Sequence, residues 1–284
     1  MRWRGREESS NVEDRRGIGR GGLAVGGGLG SIAILVIAML FGVDPSQLLD
    51  TGQGGGQAPV TQTGQQRTNP QEDELAKFVK VVLRDTEKVW GDVFRQSGRQ
   101  YREPRLELFT GQTRSACGGA SAAVGPFYCP GDQKVYIDLS FFDEMKRRFR
   151  APGDFAQAYV IAHEVGHHVQ QLVGTSDKVT ALQQRAGEAQ ANRLSVMLEL
   201  QADCYAGVWG FYEKQHDFIE PGDIEEALNA ASAIGDDRLQ KESQGQVVPD
   251  SFTHGSSEQR ARWFRQGFES GDMRRCDTFN ARSL

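Results

Sequence analysis

AYVIAHEVGHHVQ, residues 158–170, holds three of the five histidines of this chain around one glutamate. The surrounding segment is predicted to be a helix from about Asp154 to Leu172, with Asp154 as N-cap and Gly174 as stop. His163 and His167 are four residues apart, so a helix places them one turn apart on the same face. The stretch therefore predicts a helix that presents two imidazoles side by side.

These residue types in this order indicate a metal centre. Two imidazoles on adjacent turns can bind one zinc ion, and in an H-E-x-x-H pattern the glutamate reaches the attacking water rather than the metal. Glu164 is therefore predicted to be the general base. His168 points away from the pair and is predicted to have a surface or supporting role. A chance pair on a core helix is the alternative, but buried histidines and a buried glutamate would then need other partners.

The third ligand of this predicted zinc ion must come from elsewhere in the chain. Catalytic zinc takes three protein ligands and one open position. Val173 excludes a third histidine at the H-E-x-x-H-x-x-G-x-x-H spacing. In LELQADCYAG, Glu199 is the predicted ligand, and Asp203, one turn later, is predicted to orient a ligand histidine. A solvated acidic stripe is the alternative for this pair, and Glu188 is a weaker candidate because its surroundings are polar.

The rest of the folded part is predicted to be mostly helical with a small sheet, which is an α+β fold. Alternating residues predict strands at 105–110 and 134–139, and we expect the second to be an edge strand that could pair with an extended peptide. A polar stretch is expected at 175–187. Further helices are predicted over 72–95, 188–215 and 223–240, and from a capping box at Ser256.

Three motifs, HEVGHHVQ, ELQADCYAGVW and FTHGSSEQRARWF, together resemble the bacterial family of neutral zinc metallopeptidases, which are membrane-anchored proteins of this length. More distantly, H-E-x-x-H followed by E-x-x-x-D is similar to the gluzincin class. The resemblance implies a zincin-like domain with one zinc ion per chain, and it assigns the same roles to His163, His167, Glu199, Glu164 and Asp203.

One further segment extends this resemblance. THGSSEQR, residues 253–260, is similar to the T-H-P-x-x-x-x-R segment of membrane proteases in the gluzincin class. The similarity implies that His254 stabilises the tetrahedral intermediate and that Arg260 supports the site. Gly255 stands where that segment has proline, so the local backbone is expected to differ.

The N-terminal part has a different composition. Residues 23–43 contain no charged residue and are long enough for a helix of roughly 30 Å, which predicts one transmembrane helix. The arginine-rich residues 1–22 are then a cytoplasmic head, residues 44–70 a flexible linker, and residues 71–284 an extracytoplasmic domain in the periplasm or at the cell surface. A cleaved signal peptide and a buried helix are the alternatives. Helix self-association is suggested by the spacing of Gly22, Gly26 and Gly30.

The four cysteines fit an exported domain, because an even number in such a context suggests up to two disulfides. Cys117 and Cys129 flank a short loop and are the favoured pair, which leaves Cys204 with Cys276 by elimination. The net charge of −5 gives no indication of a nucleic-acid partner.

Together these patterns predict a membrane-anchored zinc peptidase that acts on peptide or protein substrates. A zinc-bound scaffold or binding protein of the cell envelope, without turnover, is the alternative. A cytosolic metalloprotein is a third possibility if residues 23–43 do not enter a membrane.

Overall fold

The computed structural model describes residues 1–17 and 69–284, and these residues form a mostly helical fold with a small sheet, so the α+β prediction is confirmed. The strands are β1 (Val12–Asp14), β2 (Arg105–Phe109), β3 (Gln112–Ser115), β4 (Gly118–Ser121), β5 (Phe127–Cys129) and β6 (Lys134–Asp138). The helices are α1 (Pro70–Gln96), α2 (Ser140–Arg147), α3 (Asp154–Val173), α4 (Thr175–Gln183), α5 (Glu188–Gln215), α6 (Asp223–Ala233), α7 (Asp236–Gln244) and α8 (Ser257–Ser270).

The main sheet has the order β1-β2-β6-β5 among the described strands. Strands β1, β2 and β6 are parallel, and β5 runs antiparallel to β6. Strands β3 and β4 form a separate hairpin. The prediction of an edge strand at 134–139 is wrong, because β6 pairs on both sides and the edges are β1 and β5. Its buried residues explain this position, since Val135 and Ile137 are fully covered.

Helix α3 lies at the centre of the core, where it contacts α1, α5 and α6 and strands β5 and β6. Its large side chains Phe155, Tyr159 and Ile161 are fully buried. Burial of each such side chain contributes roughly 1.5–3 kcal/mol. Helices α5 and α8 cross closely at Gly207 and Gly267, where a Cβ would overlap a backbone carbonyl of the other helix. The close crossing places α8 directly against α5 at Cys204.

Several helix boundaries differ from their predictions. Asp154 is the first residue of α3 and Gly153 is its N-cap, whereas Gly174 ends the helix as predicted. The polar stretch at 175–187 contains α4, and the single helix predicted over 223–240 is two helices, α6 and α7. The break lies at Gly235, where a Cβ would clash with the backbone of Ser257, so the chain turns there to let α8 approach. The predicted capping box at Ser256 is present.

Residues 1–17, predicted as part of a separate arginine-rich head, pack on the same body as the rest of the described chain; we call them the N-terminal segment. Strand β1 pairs with β2, and Trp3 contacts the ring of Phe78. The guanidinium of Arg6 forms ion pairs with the buried carboxylates of Asp85 and Glu213. Arginines in this segment thus bind acidic groups of the domain rather than forming a head of their own.

The prediction of a single-pass membrane protein with an extracytoplasmic domain is corrected. Within residues 1–17 and 69–284, no helix combines the length and the apolar character that crossing a membrane requires. The segment 23–43, the glycines at 22, 26 and 30, and most of the predicted linker lie outside the described residues. The predicted orientation relied on an arginine-rich flank, and within the described part of that flank Arg2, Arg6 and Arg15 form ion pairs with acids of the domain.

Two disulfides close the described domain. Cys117 is bonded to Cys129, which ties the β3–β4 hairpin to β5. Cys204 of α5 is bonded to Cys276, near the end of the chain. The second bond closes a long loop, and cross-links of this kind restrict the unfolded chain most strongly. It also fixes the segment after α8 against α5.

Candidate metal centre

Three side chains from two helices converge on one point. His163 and His167 lie one turn apart on α3, and Glu199 faces them from α5. The Nε2 atom of His163 is 3.2 Å from Oε2 of Glu199, and Nε2 of His167 is 3.4 Å from Oε1. One ligand atom from each residue lies within 4.8 Å of the other two. The structure thus brings together all three residues predicted to bind the metal.

The close approach of α3 and α5 depends on Gly166, which lies on α3 between the two histidines. A Cβ at this position would come within 3.0 Å of the carbonyl oxygen and 3.1 Å of the Cα of Ala202. Contacts this short would force the helices apart by a few tenths of an ångström. The H-E-x-G-H sequence therefore lets the histidines of α3 reach Glu199 on α5.

His163 is held by charged and hydroxyl groups. Its Nδ1 lies 2.8 Å from Oδ1 of Asp203, and the same carboxylate oxygen accepts a hydrogen bond from the hydroxyl of Tyr159 at 2.5 Å. The guanidinium of Arg260 donates to both oxygens of Asp203, with Nε at 2.8 Å and Nη2 at 3.0 Å. Since the carboxylate is an acceptor, Nδ1 of His163 donates to it, and Nε2 is the ring atom that faces Glu199.

His167 is held by a neutral amide instead. Its Nδ1 lies 2.9 Å from Oε1 of Gln170, one turn later on α3. The Nε2 of Gln170 donates to the carbonyl of Leu198 at 2.7 Å. The carbonyl can only accept, so the amide oxygen must face His167, and Nδ1 of His167 must donate. Both ligand histidines therefore direct Nε2, the nitrogen left for a metal ion, at the same place.

This donor set fits a zinc ion. Two imidazole Nε2 atoms and one carboxylate converge, and contacts this short require a proton or a metal ion between them. Two histidines and one glutamate are a set of ligands that catalytic zinc takes. The pKa of His163 reflects the same demand: burial lowers it, but the carboxylates of Asp203 and Glu199 outweigh burial and raise it to about 10. A proton or a metal ion can supply the positive charge.

Glu164 directly follows the first ligand, His163, on α3, and its carboxyl group interacts electrostatically with both ligand histidines. No side chain of the described chain hydrogen-bonds its carboxylate, and it is buried. Burial raises its pKa above the ordinary value for glutamate. A carboxylate with a raised pKa is suited to take and return a proton near neutral pH.

His254 and Arg260 are placed differently around the centre. Arg260 is buried and contacts Asp203 directly, in the supporting position that the resemblance implies. His254 interacts electrostatically with the carboxylate of Glu199. Burial lowers the pKa of His254, but Glu199 and Asp236 outweigh burial, so its pKa is raised above the ordinary value. Its backbone amide donates to Oδ2 of Asp236 at 2.7 Å, so the turn is fixed by that carboxylate. Gly255 has φ +92°, which proline cannot adopt, and this is the expected difference in backbone.

His168 is not a surface residue. It is fully buried, and its Nε2 donates to the carbonyl of Arg102 at 2.6 Å while its Nδ1 accepts from the hydroxyl of Tyr128 at 3.0 Å. Burial lowers its pKa to about 4, so the ring is neutral. It ties α3 to strand β5, which is the supporting role that the sequence left open.

Three residues near the centre were missed by the sequence reasoning. Tyr159 precedes His163 by one helical turn, and Gln170 follows His167 by three residues, so helical spacing places both on the face of the ligands. That spacing is the signal that could have found them. Asp236 had no such signal, because it lies in a different helix from every ligand.

A second group of acids, Asp154, Asp223 and Glu226, also has oxygens within 4.8 Å of one another. A cation already lies against two of these acids: the α-ammonium of Met1 donates to Asp154 at 2.7 Å and to Asp223 at 3.1 Å. The group contains no histidine, unlike the centre around His163.

Comparison with known proteins connects this geometry to a family. A family model described as "Putative neutral zinc metallopeptidase" matches residues 1–279. Uncharacterized protein YpfJ of Escherichia coli strain K12 is 54% identical over 290 residues, which cover 98% of this chain and 99% of that protein. Uncharacterized protein Mb2605 of Mycobacterium bovis is 42% identical over 263 residues, or 87% of this chain and 86% of that protein. No solved structure matches the chain.

The family match and the converging ligands agree on a general peptidase function that uses zinc. The match extends over both described parts of the chain, including the N-terminal segment. This chain belongs to the family of neutral zinc metallopeptidases.

Proposed function

We propose that this protein hydrolyses peptide bonds with one zinc ion per chain, held by His163, His167 and Glu199. The observation that carries the proposal is the convergence of two Nε2 atoms on the carboxylate of Glu199, at 3.2 and 3.4 Å. The remaining exposure of His167 and Glu199, 16% and 18% of the side chains, leaves the point where they meet open to a substrate. Peptides and proteins are the proposed substrates.

The reaction follows from the placement of Glu164. Zinc, when bound, supplies Lewis-acid chemistry that polarises the scissile carbonyl and makes water a better nucleophile at neutral pH. Glu164 takes the proton of the attacking water and later gives it to the leaving amine. Its burial favours this exchange, since a raised pKa brings the carboxylate closer to the pH at which it must both accept and donate.

Two further residues support the reaction without binding the metal. His254, with a raised pKa, donates a hydrogen bond to the carbonyl oxygen as negative charge develops there. Asp203 fixes the tautomer and the orientation of His163, and Arg260 keeps Asp203 ionised: burial raises the pKa of Asp203, but Arg260 and His163 lower it below its ordinary value. Arg260 therefore acts through Asp203 and not on the substrate.

The test separates metal binding from catalysis. Bound zinc and hydrolysis of an unstructured protein such as casein are measured for wild type, Glu164→Gln and Glu199→Gln. We expect one zinc ion per chain in wild type and in Glu164→Gln, with hydrolysis lowered roughly 10²–10⁴-fold in Glu164→Gln. Glu199→Gln should lose tight zinc binding, because it removes a charged ligand.

A control at Glu188, the weaker ligand candidate, completes the design. Glu188 is exposed at the start of α5, so Glu188→Gln should keep both zinc and hydrolysis. If Glu199→Gln holds zinc as tightly as wild type, the proposed ligand set is wrong. If Glu164→Gln retains full hydrolysis, the proposed base is wrong. Wild type that binds zinc but hydrolyses no peptide bond would indicate the scaffold alternative.

A further inference from the structure

We propose that Gln170 is the positioning residue for the second metal ligand, His167, and that it sets the distance between the two ligand-bearing helices. The inference rests on the proposed metal site. It adds a specific device to that site: a neutral amide that holds one histidine in its metal-binding tautomer and ties it to the backbone beside Glu199.

The hydrogen bonds of the Gln170 side chain fix which way its amide group points. Gln170 is fully buried, and its Nε2 faces two acceptors, the Leu198 carbonyl at 2.7 Å and Oε1 of Gln201 at 3.2 Å. Both amide hydrogens are used in this way, so Oε1 of Gln170 is left as the acceptor for His167 at 2.9 Å. The orientation of this amide is thus dictated by a backbone carbonyl, and the imidazole must donate from Nδ1.

The amide of Gln170 is anchored to the backbone of α5. Leu198 directly precedes Glu199 on α5, so one side chain contacts both the second ligand and the backbone next to the third. Gln201 is held in turn, because its Nε2 donates to the carbonyl of Cys276 at 2.9 Å. Cys276 is disulfide-bonded to Cys204, one turn further along α5. The chain of hydrogen bonds therefore ends on a covalently fixed point.

The two ligand histidines are held by different kinds of group. His163 is oriented by the charged Asp203, which itself needs Arg260 as a buried counter-ion. An acid at position 170 would need a second buried counter-ion, whereas the amide holds His167 without adding charge to the site. The chemistry of position 170 thus suits a residue that positions a ligand while leaving the net charge of the ligand set unchanged.

The experiment measures zinc affinity by competition with a chelator for wild type, Gln170→Met and Gln170→Glu. Gln170→Met keeps the volume but removes every hydrogen bond, and we expect it to weaken zinc binding about 10–100-fold. Gln170→Glu keeps an acceptor for His167, so we expect its affinity to lie within a few-fold of wild type. The carboxylate faces two acceptors, however, so this variant should be the less stable fold of the two.

We thus expect zinc affinity and stability to rank the two variants in opposite orders, and this distinguishes a positioning role from a purely structural one. A residue needed only for packing would lower zinc affinity in the order of lost stability, with Gln170→Glu worse than Gln170→Met, and that result would overturn the proposal. The matched control is Gln171→Met: Gln171 is the next residue on α3, is half-buried, and donates to Asp177 at 3.3 Å rather than to a metal ligand. It should bind zinc as wild type does. Equal affinity in wild type and Gln170→Met would also overturn the proposal.

A measurement without metal distinguishes this inference from the proposed function. Proton NMR detects a ring N–H that is protected from exchange by a hydrogen bond. In metal-free wild type we expect a protected Nδ1–H of His167, hydrogen-bonded to Gln170, and Gln170→Met to lose this signal. Wild type without a protected Nδ1–H at His167 would contradict the inference even if zinc binds. Failure of zinc to bind wild type would instead contradict the proposed function.

Discussion

The candidate metal centre and the site that receives Arg6 each hold a pair of largely covered acids, but the two pairs obtain their positive charge differently. In the centre, Asp203 has Arg260 as a permanent partner, and Glu199 faces histidines that can hold a proton or a metal ion. In the other site, Asp85 and Glu213 share one guanidinium, with Arg6 Nη2 2.5 Å from Asp85 and Nη1 3.2 Å from Glu213. That guanidinium comes from the N-terminal segment.

The two arrangements shift the pKa values of their acids in opposite directions. Although burial raises the pKa of Asp203, Arg260 and His163 hold it below the ordinary value. At the other site, burial outweighs the shared guanidinium: burial, with repulsion from Glu213, raises the pKa of Asp85 to about 8, and burial raises that of Glu213 to about 7. The Oδ2 atom of Asp85 is buried without a partner among the described residues. One buried acid with its own cation stays ionised, whereas two acids sharing one cation take up protons near neutrality.

The largest effect should come from removing the permanent partner. Arg260→Met would leave Asp203 buried next to its histidine without a guanidinium, and breaking such a pair costs about 3–5 kcal/mol. The free energy of unfolding, measured in urea on metal-free protein at pH 7, should fall by that amount. Arg260→Met combined with Asp203→Leu should recover part of it, because the unpaired charge is gone. A loss below about 1 kcal/mol would show that Asp203 finds another partner or a proton.

Removal of zinc is expected to have the next largest effect, since the ligands are proposed to rely on an external cation. A ligand that binds only the folded state adds about 4 kcal/mol at a thousand times its dissociation constant. Thermal unfolding with saturating zinc and with chelator should therefore differ clearly. Glu199→Gln supplies the control and should show no zinc-dependent shift. The same difference in wild type and Glu199→Gln would place the stabilising metal elsewhere.

The pair Asp85 and Glu213 predicts a dependence of stability on pH. Their pKa values are raised in the folded state, to about 8 and about 7, so the folded protein keeps protons that the unfolded chain releases. Their contribution is fully present below about pH 4 and is lost as the pH rises to about 8. Each group can contribute a slope of up to about 1.4 kcal/mol per pH unit.

Asp85→Asn tests this slope, because an amide at the same position does not titrate. The free energy of unfolding, measured from pH 5 to pH 8, should fall less steeply with pH in the variant than in wild type. Asp143→Asn, at an exposed position on α2, is the matched control and should leave the slope unchanged. An unchanged slope in Asp85→Asn would mean that Arg6 keeps both acids ionised.

How much of the centre could be predicted depends on how local its signals are. His163, Glu164 and His167 lie within one helix, and so do Glu199 and Asp203, so helical spacing was sufficient to group each set. Spacing could also have placed Gln170 beside His167, but not its anchoring on α5, which depends on which carbonyl of that helix faces the amide. The same holds for Asp236, whose carboxylate fixes the turn of His254 from another helix.

The N-terminal segment was mispredicted for a related reason. Arginines beside an apolar run are the signal for a cytoplasmic flank, and the same arginines can pair with acids far along the chain. Arg6 reaches Asp85 and Glu213, which no local pattern connects with it. The fold class was accessible, since periodicity is local, but the partners of β1 and β6 in the sheet were not. Strand β6 was predicted to be an edge strand, but it lies between β2 and β5. Its neighbours in the sheet come from other segments of the chain, which a local pattern does not reveal.

The smallest expected effect is at Arg2, four residues before Arg6 in the same segment. Arg2 pairs with Asp217 at 2.7 Å, but their side chains are 55% and 84% exposed, whereas those of Arg6 and Asp85 are 13% and 3% exposed. Exposed pairs contribute about 0–1 kcal/mol, because water screens them. Arg2→Ala should therefore change the free energy of unfolding by less than 1 kcal/mol at any pH between 5 and 8. Arg6→Met should cost more, and increasingly so above pH 7, where the two acids must ionise without their cation. Equal losses in the two variants would mean that the N-terminal segment is held by its backbone and apolar contacts, such as Trp3 on Phe78, and not by the buried guanidinium.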